Sequence, residues 1–289
     1  MSTGHEIDEV SGIETTGHEW DGIRELNNPL PRWWQWVFYA CVAYAIGYWI
    51  VYPAWPTYRG YTAGLFGYSQ RQTVGADILA AKAAQAKFTD AITASSLEDL
   101  RKNPELLRFA LAGGRAAFAT NCAPCHGRGA EGRPGYPNLN DDDWLWGGRL
   151  DDIITTVNVG IRSVSPATRQ SQMPRFGLDK LLEPAQINDA AEFVLSLSGK
   201  ADDPAAALRG KQLFADNCSA CHGGDGKGKQ DVGAPNLTDA IWLYGGAKQD
   251  VVTSIETGRG GVMPSWQNRL DAITIKELAL YVHQLGGGK

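Results

Sequence analysis

The sequence reads as a mainly α protein: one N-terminal transmembrane helix followed by two tandem copies of one small helical domain. Three observations carry this. The run Trp33 to Trp55 holds 23 residues without a charge. The segments after Gly113 and after Arg209 align with each other, and each contains the pattern C-x-x-C-H. A chain of 289 residues also has room for about two ordinary domains beyond an anchor.

Residues 1–32 form an acidic leader, expected on the cytoplasmic side. They carry seven acidic and two basic residues, which accounts for the whole net charge of −5. The rest of the chain is balanced, so there is no basic footprint of the kind nucleic acid requires. His5 and His18 read as solvated residues of a flexible tail and not as metal or haem ligands. Pro29 and Pro31 keep any helix from running on into the next segment.

Residues 33–55 are the membrane span. At 1.5 Å per residue, 23 helical residues cover roughly 34 Å, enough for a hydrocarbon core of ~30 Å. Trp33, Trp34 and Trp36 crowd one end, and Trp49, Tyr52 and Trp55 the other, as at two headgroup interfaces. A cleavable signal would start nearer Met1 and be shorter. Pro53 and Pro56 end the span, and Cys41 within it reads as a packing residue. Arginines flank both ends equally, so charge does not orient the helix.

Residues 56–107 are a connector. Tyr58 to Tyr68 is rich in glycine and aromatics, and Gly75 to about Arg101 is alanine-rich with helical spacing, broken at Pro104. The helical part is expected to dock on a partner or on the domains that follow.

Two repeats occupy residues 108–200 and 204–289, joined by the polar stretch Lys200 to Pro204. Gly114 and Phe118 align with Gly210 and Phe214, Pro137-Asn138-Leu139 with Pro235-Asn236-Leu237, Trp144 with Trp242, and Gly160 with Gly258. Each repeat ends in a helical pattern containing Phe193 or Tyr281. Cys122, Cys125 and His126 in one repeat, and Cys218, Cys221 and His222 in the other, form the attachment pattern of a c-type haem. Two thiols on one helical turn reach the vinyl groups of one porphyrin edge, and the next histidine is the proximal iron ligand. A redox dithiol or half a zinc site explains C-x-x-C but not the histidine in both copies. Two covalently attached haems c are therefore expected. Because such attachment is completed outside the bacterial inner membrane, these domains are expected in the periplasm.

The repeats resemble the class I cytochrome c fold, in which terminal helices cross over the haem edge. There Gly114 and Gly210 would permit the close contact, and Phe193 and Tyr281 would fill it. Apart from Met1 the methionines are Met173 and Met263, each followed by proline and lying 47 and 41 residues after its own histidine. Proline pushes each methionine toward extended backbone, unlike a core-helix residue. A class I domain presents its sixth ligand at this place. On that reading Met173 is paired with His126 and Met263 with His222, and both irons are low-spin. Trp144, Trp242, Arg162 and Arg259 are either partners of the haem propionates or packing residues and solvated cations. Asp141-Asp142-Asp143 reads as a solvated turn, and His283 as a surface residue.

The leader run Gly17-His18-Glu19-Trp20-Asp21-Gly22-Ile23-Arg24-Glu25-Leu26-Asn27-Asn28-Pro29-Leu30-Pro31-Arg32-Trp33-Trp34 and the stretch Tyr52-Pro53-Ala54-Trp55-Pro56 resemble the dihaem subunit, FixP or CcoP, of cbb3-type cytochrome c oxidases. The resemblance covers the whole chain. It implies a relay that passes electrons from a donor cytochrome c or bc1 complex to the haem-copper catalytic subunit, beside a monohaem cytochrome c subunit. Oxygen reduction and proton pumping would then belong to the partner, and no catalytic residue is expected in this chain. Two other readings stay open: an anchored dihaem carrier for another respiratory enzyme such as a dehydrogenase, and a haem-based gas sensor, which needs an open sixth position.

Overall fold

A computed structural model describes residues 6–286. His5 therefore lies outside the described residues. The chain divides into two compact units, one to Ala83 and one from Ala84.

The first unit opens with a hairpin in place of the flexible tail expected. Strands β1 (Thr15–Trp20) and β2 (Ile23–Leu26) pair antiparallel around Asp21-Gly22. Both turn residues have left-handed φ, 52° and 84°, the geometry whose twist suits a two-residue hairpin. His18 is exposed, with Nδ1 3.2 Å from Glu25 Oε2.

Helix α1 (Arg32–Val51) is the anchor, and it is shorter than the uncharged run. Tyr52 adopts extended backbone, φ −114° and ψ 161°, as a residue before proline must, so residues 52–55 leave the helix. Twenty residues still span about 30 Å. None of its side chains is buried, and it is long and apolar enough to cross a membrane. The chain then turns back through a two-residue pair of strands, β3 (Pro56–Thr57) and β4 (Gly60–Tyr61). Leu65 and Phe66 donate their N–H groups to the carbonyls of Ile50 and Val51, both at 3.0 Å, satisfying acceptors that every helix end leaves unpaired.

Helix α2 (Gln70–Ala94) starts earlier than its alanine pattern suggested and stops at Ser95-Ser96. Ser96 caps the short α3 (Leu97–Lys102) by accepting from Asp99 N–H at 3.1 Å. Pro104 begins a helix as well as ending one: it is the first residue of α4 (Pro104–Asn121), capped by the Asn103 side chain. Ile92, Leu97 and Leu100 are buried with Ala110, Leu150 and Leu280, so the end of the connector docks on the haem-motif unit. Lys276 Nζ donates to the carbonyls of Ile92, Thr93 and Ser95 at 2.8–3.1 Å, placing a cation at the C-terminus of α2.

The remaining helices are α5 (Ala123–His126), α6 (Leu150–Val159), α7 (Pro184–Ser196), α8 (Pro204–Asn217), α9 (Ser219–His222), α10 (Lys248–Thr257) and α11 (Ala272–Gln284). The expected Gly–aromatic crossings are present with their partners exchanged. A Cβ at Gly114 would strike the Glu277 carbonyl and lie 2.7 Å from Tyr281 Cβ, both on α11. One at Gly210 would strike the Asp189 carbonyl and lie 2.9 Å from Phe193 Cβ, both on α7. Thus α4 pairs with α11, and α8 with α7. Phe118 meets Tyr281 at 5.4 Å between ring centroids, and Phe193 meets Phe214 at 5.1 Å.

The repeats at 108–200 and 204–289 therefore do not each pack on their own terminal helix. The cause is the brevity of the joint. α7 ends at Ser196 and α8 starts at Pro204, and so short a link folds consecutive helices into an antiparallel pair. The buried Glu192 carboxylate fixes the link by accepting from Asp202 and Asp203 N–H at 2.9 and 3.2 Å. With α7 taken by α8, the groove on α4 is left for α11.

Candidate haem sites

Each attachment motif forms a short helix entered from the long helix before it. Cys122 N–H still bonds Phe118 O at 2.9 Å, and Cys218 N–H bonds Phe214 O at 2.9 Å, so both cysteines are anchored to packed helices. The first cysteine of each pair is half-buried and the second exposed, which sets the pair across a cavity mouth. Burial, with the neighbouring thiol, pushes both Cys122 and Cys218 up to about 11. Arg133 donates to Pro124 O at 3.0 Å and Lys229 to Ala220 O at 2.8 Å, so a cation supports the residue inside each motif.

The histidines are held alike. His126 Nδ1 lies 3.1 Å from Pro137 O, and His222 Nδ1 lies 3.1 Å from Pro235 O. A carbonyl only accepts, so Nδ1 carries the proton and Nε2 keeps its lone pair for a metal. Burial lowers the pKa of both imidazoles, favouring this neutral form. The repeat alignment marks both Pro-Asn-Leu runs but assigns them no role; the carbonyl acceptors are that role.

Two cavities follow, and their membership departs from the sequence reading. The first holds Cys122 and His126 together with Met263, Trp144 and Asp143. The second holds Cys218, Cys221 and His222 together with Met173, Trp242, Arg162 and Arg259. His126 and Met173 are thus not brought together, nor are His222 and Met263; each methionine lines the cavity that holds the other repeat's histidine. The exchange of α7 and α11 carries the methionine loops with it. A Cβ at Gly160 would strike the Met263 carbonyl, and one at Gly258 would lie 2.5 Å from the Met173 carbonyl.

The lining fits a porphyrin. Trp242 Nε1–H is buried without a hydrogen-bond partner in the second cavity, a donor awaiting an acceptor such as a propionate. Arg162 and Arg259 border the same cavity, where Arg162 also donates to Gly261 O at 2.6 Å and Ser171 O at 2.8 Å. Asp143 is not the solvated turn residue expected: it is half-buried against the first cavity, and burial with nearby Asp239 and Asp141 raises it to about 6. His283 is half-buried on α11 and lines neither cavity. Among the described residues no cluster of three or more His, Cys, Asp or Glu is placed to hold a metal ion.

Comparison with known proteins matches residues 12–59 to the N-terminal domain of cytochrome oxidase-cbb3, FixP. Residues 111–198 match cytochrome c, and residues 205–282 match cytochrome c oxidase, cbb3-type, subunit III. Similar proteins include the cbb3-type cytochrome c oxidase subunit FixP of Sinorhizobium medicae, 52% identical over 98% of both chains. The FixP subunit of a Bradyrhizobium species is 53% identical over the full length of both. The CcoP subunit of Azospirillum brasilense is 52% identical over 98% of this chain and 99% of its own.

Proposed function

Since the chain belongs to the FixP/CcoP family of cbb3-type cytochrome c oxidase subunits, we propose that it is the membrane-anchored subunit that relays electrons through two haems c to the haem-copper catalytic subunit. The observation that carries this is the pair of cavities, each lined by residues of a cysteine–histidine motif and by a methionine. When bound, the haem supplies a one-electron iron couple. Everything else is the work of the chain. Cys122 and Cys125, and Cys218 and Cys221, hold the two groups by thioether bonds. The Pro137 and Pro235 carbonyls orient the imidazoles of His126 and His222.

The axial pairs we propose are His126 with Met263 and His222 with Met173. With haem bound, a methionine thioether and a histidine imidazole would together hold each iron, favouring the ferrous state and keeping exogenous ligands off it. That argues against the gas-sensor reading. The helix α1 anchors the subunit in the membrane, with residues 1–32 in the cytoplasm and the haem unit in the periplasm. A donor cytochrome c or bc1 complex delivers electrons, and a monohaem cytochrome c subunit shares the complex.

Purification in mild detergent tests the assignment. The oxidase reading expects haem b and copper to co-purify, and expects the isolated subunit to exchange electrons with cytochrome c while consuming essentially no oxygen. Co-purification with a flavin- or molybdenum-containing dehydrogenase instead would replace the oxidase with another enzyme. Stoichiometric carbon monoxide binding by the reduced subunit would favour the gas sensor.

A further inference from the structure

The two cavities are built from aligned residues, so positions where the repeats differ in charge stand out. Asp143 of the first repeat aligns with Ile241 of the second, and Ile161 aligns with Arg259. Asp143 and Ile161 line the His126 cavity, whereas Ile241 and Arg259 line the His222 cavity. One aligned position thus trades a carboxylate for a hydrocarbon, and the other trades a hydrocarbon for a guanidinium. The exchanged topology adds a further cation. Arg162 belongs to the first repeat yet borders the second cavity, and its aligned partner Gly260 has no side chain to return. Among the described residues lining either cavity, the cations are Arg162 and Arg259, both at the His222 site, and the carboxylate is Asp143, at the His126 site.

Both arginines are fixed in place. Arg162 is held by two carbonyls at 2.6 and 2.8 Å, and Arg259 donates to Tyr244 O at 3.2 Å with its guanidinium 5.4 Å from the Tyr244 ring. Arg169 touches Trp146 from 5.1 Å but does not line the His126 cavity.

Adding an electron to an iron centre lowers its charge by one, so a nearby cation stabilises the reduced state and a nearby carboxylate opposes it. Resting on the dihaem reading above, we propose that Arg162 and Arg259 raise the reduction potential of the His222 site above that of the His126 site, where Asp143 acts in the opposite sense. An electron entering at either site then settles at the His222 site. The transfer balances as one electron: iron at the His126 site passes from ferrous to ferric while iron at the His222 site passes from ferric to ferrous.

The test is an optical redox titration of the full-length holoprotein and its Arg162→Gln, Arg259→Gln and Asp143→Asn variants. Wild type should show two one-electron components. Each arginine variant should lower the higher component about tenfold in its equilibrium constant, ~59 mV for a one-electron couple, and leave the lower one in place. Asp143→Asn should raise the lower component. Arg162→Lys and Arg259→Lys keep the charge and should return the higher component toward its original value, which separates charge from packing damage. The proposal is overturned if the arginine variants move the lower component, move different components, or move neither while both haems remain bound. A single component carried by two bound haems would overturn this proposal alone, whereas a haem content below two per chain would sink the dihaem reading itself, and this proposal with it.

Discussion

Ile161 and Met263 exchange backbone hydrogen bonds, Ile161 N–H to Met263 O at 2.9 Å and Met263 N–H to Ile161 O at 3.0 Å. The loop that carries one repeat's methionine is thereby stitched to the middle of the other repeat. The prediction is that axial ligation crosses between repeats. In a protein stripped of its second attachment site by Cys218→Ala and Cys221→Ala, Met263→Ala should turn the remaining haem high-spin and abolish its ferric iron–sulfur band. Met173→Ala in that background should leave the band intact. The reverse result restores sequential pairing.

Gly114 and Gly210 mark the two close helix crossings. Gly114→Ala places a methyl group against the Glu277 carbonyl, which belongs to helix backbone and has little room to yield. A cost on the order of 1–3 kcal/mol is expected, as for other overpacked contacts. Thermal unfolding should show the loss, and the haem held by His126 should be the one perturbed. Gly210→Ala should do the same for the haem held by His222.

Glu277 sits at 7% exposure against Gly113, and burial with nearby Asp271 raises its carboxyl to about 7. The folded state therefore holds its proton more tightly than the unfolded chain does, from the ordinary carboxylate range up to about 7. Stability from this group is full at acid pH and declines as pH rises through that window. Glu277→Gln should flatten the decline, stabilising the protein at pH 8 by roughly 1–3 kcal/mol and changing little at pH 4. Denaturant unfolding at the two pH values decides it; equal effects at both would dismiss the ionisation account.

The anchor predicts a separation of tasks. Removing residues 1–56 should yield a water-soluble, haem-loaded protein that accepts electrons from a soluble cytochrome c but associates poorly with the oxidase. Co-sedimentation with the complex measures this. Undiminished association would move the contact from α1 to the haem unit.

Much of this was legible in the sequence, because the chemistry resides in short motifs. Cys122, Cys125, His126 and their counterparts declare themselves locally, as does the uncharged run of α1. The pairing of the methionines was not legible, for a definite reason. Gly114 and Gly210 offer the same groove, and Tyr281 and Phe193 offer equivalent knobs, so either pairing satisfies the same pattern. What decides is a seven-residue joint (197–203) and the hydrogen bonds of Glu192 within it. The leader hairpin was announced by Asp21-Gly22, a turn signal outweighed by the acidic composition around it. The rise of the Asp143 carboxyl comes from burial first and then from Asp239 in the other repeat, so no local reading of the triplet reveals it.

The exchange of α7 and α11 also sets an order of assembly. As the chain emerges from its N-terminus, the first C-x-x-C-H motif is delivered early, but Met263 and α11, which complete its cavity, come after the second motif. The second site draws on the neighbouring α7, a methionine already made and residues that follow its motif as far as Gly260, so it closes over a shorter stretch of chain, and short closures are fast. The haem site encoded first is thus finished second. Through that interval the groove on α4 stands open, and α11, made after both attachment motifs, is the helix that shuts it.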